Sequence, residues 1–213
     1  MHDGHDHDHT EGHAAQSFDE RAATWDDDAK VARAAHIARR IGEEVALTGD
    51  ERLFEYGAGT GLVSEALRGA VGPITLADAS EGMRVVAQAK VDDGRLAGAR
   101  VWGLDLSSDS VPADEAFDLI VTSMVLHHVG RLEVTLRAFH ELLEPGGHLC
   151  VVDLDAEDGS FHGEGAHVHN GFARGAFAGL LRDAGFADVR LSDCGTVDRD
   201  GAEFGLFLAV ASR

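Results

Sequence analysis

From Asp50 to the end of the chain, short apolar strands alternate with amphipathic helices, and this alternation limits the fold more than any other feature. It is typical of a mostly parallel sheet that helices cover on both faces. Strands are predicted over residues 52–56, 74–78, 100–104, 117–123 and 148–154. Helices are predicted after Gly61 and over residues 80–91, 132–143 and 174–184, because apolar positions recur there with helical spacing.

The last two predicted strands, residues 189–194 and 205–211, are separated by only about ten residues. A crossover between parallel neighbours needs about a dozen residues or more, so these strands are predicted to pair as an antiparallel hairpin. The expected fold is therefore α/β and doubly wound, with a mostly parallel seven-stranded sheet whose last strand is antiparallel. An all-parallel nucleotide-binding fold would not close in this way.

Three regions are predicted along the chain. Residues 1–16 alternate histidine with acidic residues and offer little to a core, so they are expected to form a disordered, solvated tail, with loose metal binding by its histidines as the alternative. Residues 17–49 are expected to form a helical cap, and residues 50–213 a single cofactor-binding domain. Aspartates near Asp26 can cap the helix of the second region, whose predicted apolar face comprises Val31, Ala35, Ala38, Ile41 and Val45.

Charge and composition exclude several partners. The chain has 213 residues, and its 18 Lys and Arg against 38 Asp and Glu give a formal net charge of -20. Such a surface repels nucleic-acid phosphates and anionic lipids, so neither nucleic acid nor membrane is an expected partner. Cys150 and Cys194 lie in apolar runs without metal-ligand spacing, which predicts buried thiols. The absence of a long apolar run or a signal peptide predicts a cytoplasmic protein.

The first strand runs directly into a glycine loop with Gly57, Gly59 and Gly61. Glycines let the backbone adopt positive φ and approach a ligand closely, at the strand end where open α/β sheets bind ligands. Leu62 occupies the place of the third glycine in the dinucleotide fingerprint, and no Gly-Lys-Ser or Gly-Lys-Thr sequence is present. Phosphate-binding loops are therefore disfavoured, while a tight strand-to-helix turn without a ligand remains an alternative.

Three acidic residues stand at the ends of successive strands. Glu55 precedes the loop, where it would attract a cationic group, and Asp78 ends the second strand, where it can accept hydrogen bonds from ribose hydroxyls. Asp105 follows the third strand, where it can accept from an adenine amino group. Taken singly, each could be a helix cap or a solvated strand end. Together they predict a site for an adenosine that carries a positive charge.

From residue 53 to about residue 123, the chain resembles class I S-adenosylmethionine-dependent methyltransferases, in the small-molecule group that includes quinone-biosynthesis enzymes. Glu55 and the Gly-x-Gly-x-Gly sequence match the family's first motif, and the resemblance extends to the C-terminus. Ala58 stands where many members have Cys or Ser. The resemblance implies S-adenosylmethionine as cofactor, with Met83 beside its adenine. The implied cofactor-binding residues are Glu55, Gly57, Ala58, Gly59, Gly61, Asp78, Ala79, Met83, Asp105, Leu106 and Ser123.

Methyl transfer from a sulfonium is an in-line displacement, for which an enzyme mainly aligns the acceptor and excludes water. His127 and His128 follow the fourth strand, and they are the catalytic candidates because an imidazole can take a proton near neutral pH. Trp25, with Phe18, is expected to close over the cofactor or to pack on the core. The candidates for the acceptor pocket are Trp25, His127, His128, Asp153, His167 and His169.

A cluster at and after the fifth strand has two interpretations. It comprises Asp153, Asp155, His162, His167, His169 and Asn170. These residue types can bind a divalent metal, but their irregular spacing favours acceptor lining, and no metal is predicted. The predicted function is methyl transfer to a small-molecule acceptor that the sequence does not identify. The alternatives are a nicotinamide-dependent oxidoreductase and a non-catalytic regulatory module that binds a cofactor or metal.

Overall fold

The computed structural model describes residues 18–163 and 169–213, so that the predicted tail and His167 lie outside the described residues. Seven strands form one sheet in the order β3-β2-β1-β4-β5-β7-β6. Strand β7 runs antiparallel to both of its neighbours, and the other neighbouring strands pair in parallel. The strands are β1 (Leu53–Tyr56), β2 (Ile74–Ala77), β3 (Arg100–Trp102), β4 (Phe117–Ser123), β5 (Leu143–Leu154), β6 (Ala187–Arg199) and β7 (Ala202–Ser212). This topology confirms the predicted fold class.

Helices cover both faces of the sheet. They are α1 (Asp28–Glu44), α2 (Leu62–Leu67), α3 (Glu81–Asp92), α4 (Leu132–Leu142) and α5 (Arg174–Asp183), with 3₁₀ turns at Ala22–Thr24 and Leu126–His128. One face packs Ile37 and Ile41 of α1 in a cluster with Leu53 and Leu76. The other face packs α4 and α5 through residues such as Phe139 and Phe177. The two clusters fix the strand ends at one edge of the sheet, where ligands bind in such folds.

Helix α1 differs in detail from its prediction. Its cap is as predicted, because Asp27, from the aspartates near Asp26, accepts a hydrogen bond from the Lys30 amide at 2.8 Å. The prediction that Val31 and Ala35 face the core was wrong, since both are exposed. The buried face is Ala34, Ile37, Ala38, Ile41 and Val45. These five residues lie on one side of the helix, and Val31 and Ala35 project from its margin toward solvent.

The terminal hairpin is longer and tighter than predicted. Strands β6 and β7 extend until Arg199 pairs with Ala202, so most of the expected ten-residue connection is itself strand. Asp200 and Gly201 make the turn with φ of 55° and 82°, and Asp-Gly is favoured in two-residue hairpin turns for this reason. Strand β5 likewise starts at Leu143, before its predicted start at His148.

Two smaller predictions concern the thiols and membrane association. Cys150 and Cys194 are free and buried, as predicted. Within residues 18–163 and 169–213, every helix is too short or too polar to cross a bilayer.

Candidate active site

A cavity opens at the carboxyl edge of the sheet, beside the ends of β1, β2 and β4. All three predicted acids, Glu55, Asp78 and Asp105, line it. Its other lining residues from the predicted set are Gly57, Ala58, Ala79, Ser123, Trp25 and His128. The structure therefore brings the central part of the predicted site to one place.

The glycine loop requires its glycines. Gly57, Gly59 and Gly61 have φ of 64°, 54° and 80°, in the region that L side chains rarely adopt. A Cβ added to Gly57 would lie 2.3 Å from Cγ2 of Val125, which itself lines the cavity. At Gly61, which caps α2, a Cβ would lie 2.9 Å from Cδ1 of Leu96. The loop is thus packed closely on the sheet, and its backbone faces the cavity at Gly57 and Ala58.

Asp78 connects the loop to the second strand. Its carboxylate accepts hydrogen bonds from the Gly59 amide at 2.7 Å and from the Ser80 amide at 2.8 Å. Burial raises the pKa of Asp78, which these two amides partly counter. Each carboxylate oxygen can accept a further hydrogen bond, so Asp78 can hold the loop and a ligand hydroxyl at once.

Glu55 is a buried carboxyl with 3% exposure. It accepts hydrogen bonds from the Ser64 amide at 2.9 Å and from the Ser64 hydroxyl. Burial raises the pKa of Glu55 to about 7, because a charged carboxylate is poorly solvated there. A cationic ligand group in the cavity would stabilise the charged form.

The remaining predicted cofactor residues surround Asp105 and the loop. Asp105 accepts hydrogen bonds from the Tyr56 hydroxyl at 3.1 Å and from the Ser107 amide at 2.9 Å. Leu106 and Met83 are buried, and the Met83 sulfur lies 3.8 Å from the position of a Cβ on Gly59. Neither Leu106 nor Met83 is among the described residues that line the cavity, so both lie in the second layer behind it.

Residues 18–27, which we call the strap, lie over the glycine loop. Phe18 and Trp25 line the cavity, with ring centroids 5.6 Å apart. The Asp19 carboxylate accepts hydrogen bonds from the Ser80 hydroxyl and from the Gly82 amide. The Asp26 carboxylate accepts a hydrogen bond from the Thr60 hydroxyl. The strap, which carries Trp25, is thus anchored at Asp19 and at Asp26.

Sequence reasoning missed the charged network beneath the strap. The fully buried Lys90 ammonium pairs with Asp26 at 2.8 Å and with Glu65 at 2.9 Å. Lys90 is the third-last residue of the amphipathic helix α3. No sequence pattern indicated that it is buried, because its partners come from two other segments. Asp26 belongs to the aspartate cluster predicted to cap α1, but its side chain connects the strap to α3.

The two adjacent histidines have different environments. His128 lines the cavity, and burial lowers its pKa to about 3, so its imidazole is neutral and weakly basic at pH 7. His127 has 1% exposure, and its Nδ1 lies 2.6 Å from Oδ1 of Asp153. Asp153 is fully buried and also accepts hydrogen bonds from the amides of Leu126 and Leu154. His127 and Asp153 are not among the described residues that line the cavity, and they lie behind His128.

The last predicted pocket residue, His169, lies against the main chain. Its amide donates to the His127 carbonyl at 2.7 Å, and its Nε2 lies 3.1 Å from the Val129 carbonyl. It is absent from the described lining of the cavity. Asp155 pairs with Arg174 at 2.7 Å instead of joining the histidines. His162, in contrast, lies beside His127 and His128, with ring centroids 5.0 Å and 4.9 Å away.

Comparisons with known proteins fit this geometry. The family model described as "Methyltransferase domain" matches residues 20–191. The chain is 27% identical over 154 residues to an uncharacterized methyltransferase of Schizosaccharomyces pombe, covering 65% of this chain and 54% of that protein. It is 32% identical over 148 residues to the biotin biosynthesis bifunctional protein BioCD of Bordetella avium, covering 67% and 30%. The chain thus spans about half or less of these relatives.

Solved structures share the fold at lower identity. A Haloferax volcanii methyltransferase, solved in complex with its Trm112 activator, has a TM-score of 0.75 at 20% identity, over 92% of this chain and 96% of that one. The N-methyltransferase NodS of Bradyrhizobium japonicum, solved with S-adenosyl-l-homocysteine, has a TM-score of 0.69 at 19% identity, over 94% and 98%. Since the family match covers most of the sequence, this chain belongs to the methyltransferase domain family and is a class I enzyme that uses S-adenosylmethionine.

Proposed function

We propose that this enzyme methylates a small-molecule acceptor held in the cavity beside the glycine loop, by in-line displacement. The observation that carries the proposal is the convergence of Glu55, Asp78 and Asp105 on one cavity. When bound, the cofactor supplies a methyl group on a positively charged sulfur. The chain's own residues then have to bind, orient and shield the two reactants.

The residues present fit this cofactor. Gly57 leaves backbone space where a side chain would collide with Val125, and the buried Glu55 carboxyl suits an amino-acid ammonium group. Asp78 has acceptor capacity for ribose hydroxyls, and Asp105, oriented by Tyr56, has it for an adenine amino group. We assign the cofactor to these residues, with Met83 and Leu106 packed behind.

The acceptor side of the cavity is apolar and aromatic. Val125, Val129 and His128 line it below the strap, and Phe18 and Trp25 cover it. This enclosure excludes water from the reacting atoms, which favours displacement by the acceptor over hydrolysis. Because His128 is a weak base, we assign it to acceptor contact rather than to proton removal. Membership of the small-molecule group that includes quinone-biosynthesis enzymes stays a prediction, as does a cytoplasmic location.

Calorimetric titration of the purified chain with S-adenosylmethionine, S-adenosylhomocysteine and NADH tests the cofactor assignment. The first two should bind and NADH should not. Asp78→Ala should weaken binding by about 1–3 kcal/mol, as expected for lost hydrogen bonds to a charged group. Asp92→Ala, at the exposed end of α3, is the matched control and should leave the affinity unchanged. Preferential NADH binding, or equal affinities of the two variants, would contradict the assignment.

Activity on a panel of phenols, amines and thiols then identifies the acceptor class. Mass spectrometry should detect an acceptor that has gained a methyl group together with S-adenosylhomocysteine. Cofactor binding without any methylated product across acceptor classes would favour the regulatory alternative.

A further inference from the structure

Three histidines from two separate segments meet at the rim of the cavity. His127 and His128 come from the turn after β4, and His162 lies beyond the end of β5. One ring nitrogen from each lies within 4.8 Å of those of the other two. The site described above uses only His128 from this group, as an acceptor contact.

Asp153 fixes the orientation of the His127 imidazole. Its Nδ1 lies 2.6 Å from the Asp153 carboxylate, which the amides of Leu126 and Leu154 fix in turn. A proton on Nδ1 satisfies this buried carboxylate and leaves the Nε2 lone pair available. A histidine whose outer nitrogen donates to a carboxylate is the usual arrangement behind a metal ion, because it sets both the ring orientation and the tautomer.

His162 supplies an independent indication of a ligand. Its Nε2 is shielded from solvent, and within the described part of the chain it has no hydrogen-bond partner. A buried polar atom without a partner is costly unless a ligand satisfies it.

The surrounding charges are mixed. The Arg199 guanidinium lies 5.1 Å from the centre of the Phe161 ring, which packs against His162 and His127. Its positive charge disfavours a nearby cation, whereas the buried Asp153 carboxylate behind His127 favours one. The net charge of -20 on the whole chain also favours cations.

We propose that His127, His128 and His162 bind one divalent transition-metal ion, Zn²⁺ or an ion of similar ligand preference, with Asp153 as a positioning residue. Three imidazoles suit such ions, and catalytic zinc sites combine three protein ligands with one open position. Zn–N bonds of about 2.0–2.1 Å require the rings to close in slightly from their present spacing. This inference departs from the sequence prediction of no metal.

Of the three histidines, His128 is also among the described residues that line the cavity. An ion bound there would therefore suit an acceptor with a hydroxyl or other oxygen ligand. This statement about the acceptor depends on the proposed function, whereas the metal site itself does not.

The test has to separate this site from the predicted tail, because its five histidines could also bind added transition metals. The parent protein is therefore the full chain with Asn at the five tail positions His2, His5, His7, His9 and His13. His128→Asn and His162→Asn remove one ligand each, and Asp153→Asn removes the positioning charge. His140→Asn is the matched control, because His140 packs on Phe186, outside the cluster.

Chelator-treated proteins are dialysed against Zn²⁺ and their metal content is measured, and Co²⁺ is added separately to record its visible absorption. The parent should bind one Zn²⁺ per chain and give a Co²⁺ spectrum of low coordination number. Each ligand variant should bind at least about a hundredfold more weakly, and Asp153→Asn about 10–100-fold more weakly. The His140→Asn protein should match the parent.

Absence of stoichiometric Zn²⁺ binding by the parent would overturn the metal site, as would unchanged binding by both His128→Asn and His162→Asn. A thermal unfolding curve for each variant shows that it is folded when its binding is measured. Titration of the metal-free parent with S-adenosylmethionine tests the proposed function alone. Loss of nucleoside binding and loss of Zn²⁺ binding are thus separate results that count against separate conclusions.

Discussion

The carboxyl edge of the sheet is built differently on its two halves. At the ends of β1, β2 and β3, acids and glycines lie within short stretches, and backbone amides hold Asp78 and Asp105 in place. Beyond β4 and β5, the polar residues come from distant segments and hold one another, as His127 and Asp153 do. The first half is set by local sequence, and the second half depends on how neighbouring strands pair.

The two halves also differ in electrostatics. The first half buries carboxyls whose pKa values are raised, and these gain from a cationic ligand. The second half buries imidazoles with lowered pKa values, which remain neutral at pH 7. One half thus suits a positively charged nucleoside, and the other presents neutral nitrogen lone pairs.

The largest effect is expected from Asp153→Ala, in the second half. This change leaves His127 and two buried amides without their acceptor, and breaking a buried pair costs about 3–5 kcal/mol. Urea unfolding measures the loss in the free energy of unfolding. Asp155→Ala, two residues further along, is the matched control, because its pair with Arg174 is partly exposed and is worth about 0–1 kcal/mol. Equal losses of unfolding free energy in the two variants would mean that the buried contacts of Asp153 contribute no more to stability than a partly exposed ion pair.

Gly57→Ala tests the first half by the same measurement. The new Cβ would overlap Val125 and sit at positive φ, which together cost about 2–5 kcal/mol. Gly69→Ala is the control, since it has φ of 87° with nothing within 4 Å, so that only the backbone strain of about 1–2 kcal/mol applies. If both variants lose the same free energy of unfolding, a side chain at residue 57 does not collide with Val125 as the structure indicates.

The pH dependence of cofactor binding tests the raised pKa of Glu55. A cationic group favours the ionised carboxylate, so affinity should fall as pH decreases through about 7, with a loss of about fivefold between pH 7 and pH 6. Glu55→Gln should bind more weakly at pH 8 and lose most of this dependence, apart from any contribution of Asp78. Calorimetry across pH 5.5–8.5 measures both proteins, and an unchanged profile in the variant would place the titrating group elsewhere.

The same raised pKa has the opposite sign for stability without ligand. Because folded Glu55 holds its proton to a higher pH than the unfolded chain does, the protein should lose stability as pH rises from the ordinary glutamate range through about 7. Glu55→Gln should reduce this loss, which thermal unfolding at pH 5 and pH 8 measures.

The smallest effect is expected from Tyr56→Phe. The Tyr56 hydroxyl donates to Asp105, and a single hydrogen bond of this kind contributes about 0.5–1.5 kcal/mol. Cofactor affinity should therefore fall by only a few fold in calorimetry. Ser108→Ala, which removes a longer contact to the same carboxylate at 3.3 Å, should have less effect. A reversed order would argue against orientation of Asp105 by Tyr56.

The difference between the halves explains which parts of the site could be predicted. Glu55, Asp78 and Asp105 each follow a strand directly, so the parallel topology alone places them at one edge. The contact between His127 and Asp153 depends on the pairing of β4 with β5, where Ser123 aligns with Val152. No local pattern encodes that register, and His127 and Asp153 were therefore both predicted to line the pocket although they stand behind it.

Local sequence patterns also failed to predict a long-range charge pair and the buried face at the start of α1. Asp26 and Lys90 are 64 positions apart in sequence, and only the tertiary structure makes them partners. Val31 fits a three- and four-residue repeat, yet it lies in the first turn of α1 at the margin of the buried face and is exposed. Periodicity predicted the existence of α1 and missed part of its orientation.

The strap forms one wall of the cavity and is anchored by two carboxylates. Asp26 accepts a hydrogen bond from Thr60 in the glycine loop, Asp19 accepts one from Ser80 after β2, and Trp25 lies between the two aspartates in the sequence. A segment outside the sheet thus contributes an aromatic wall to the cavity, far in sequence from the histidines beside it. The site is therefore not complete within the sheet and its loops, and a chain that lacked the strap would lose both the indole and the two carboxylates that anchor it.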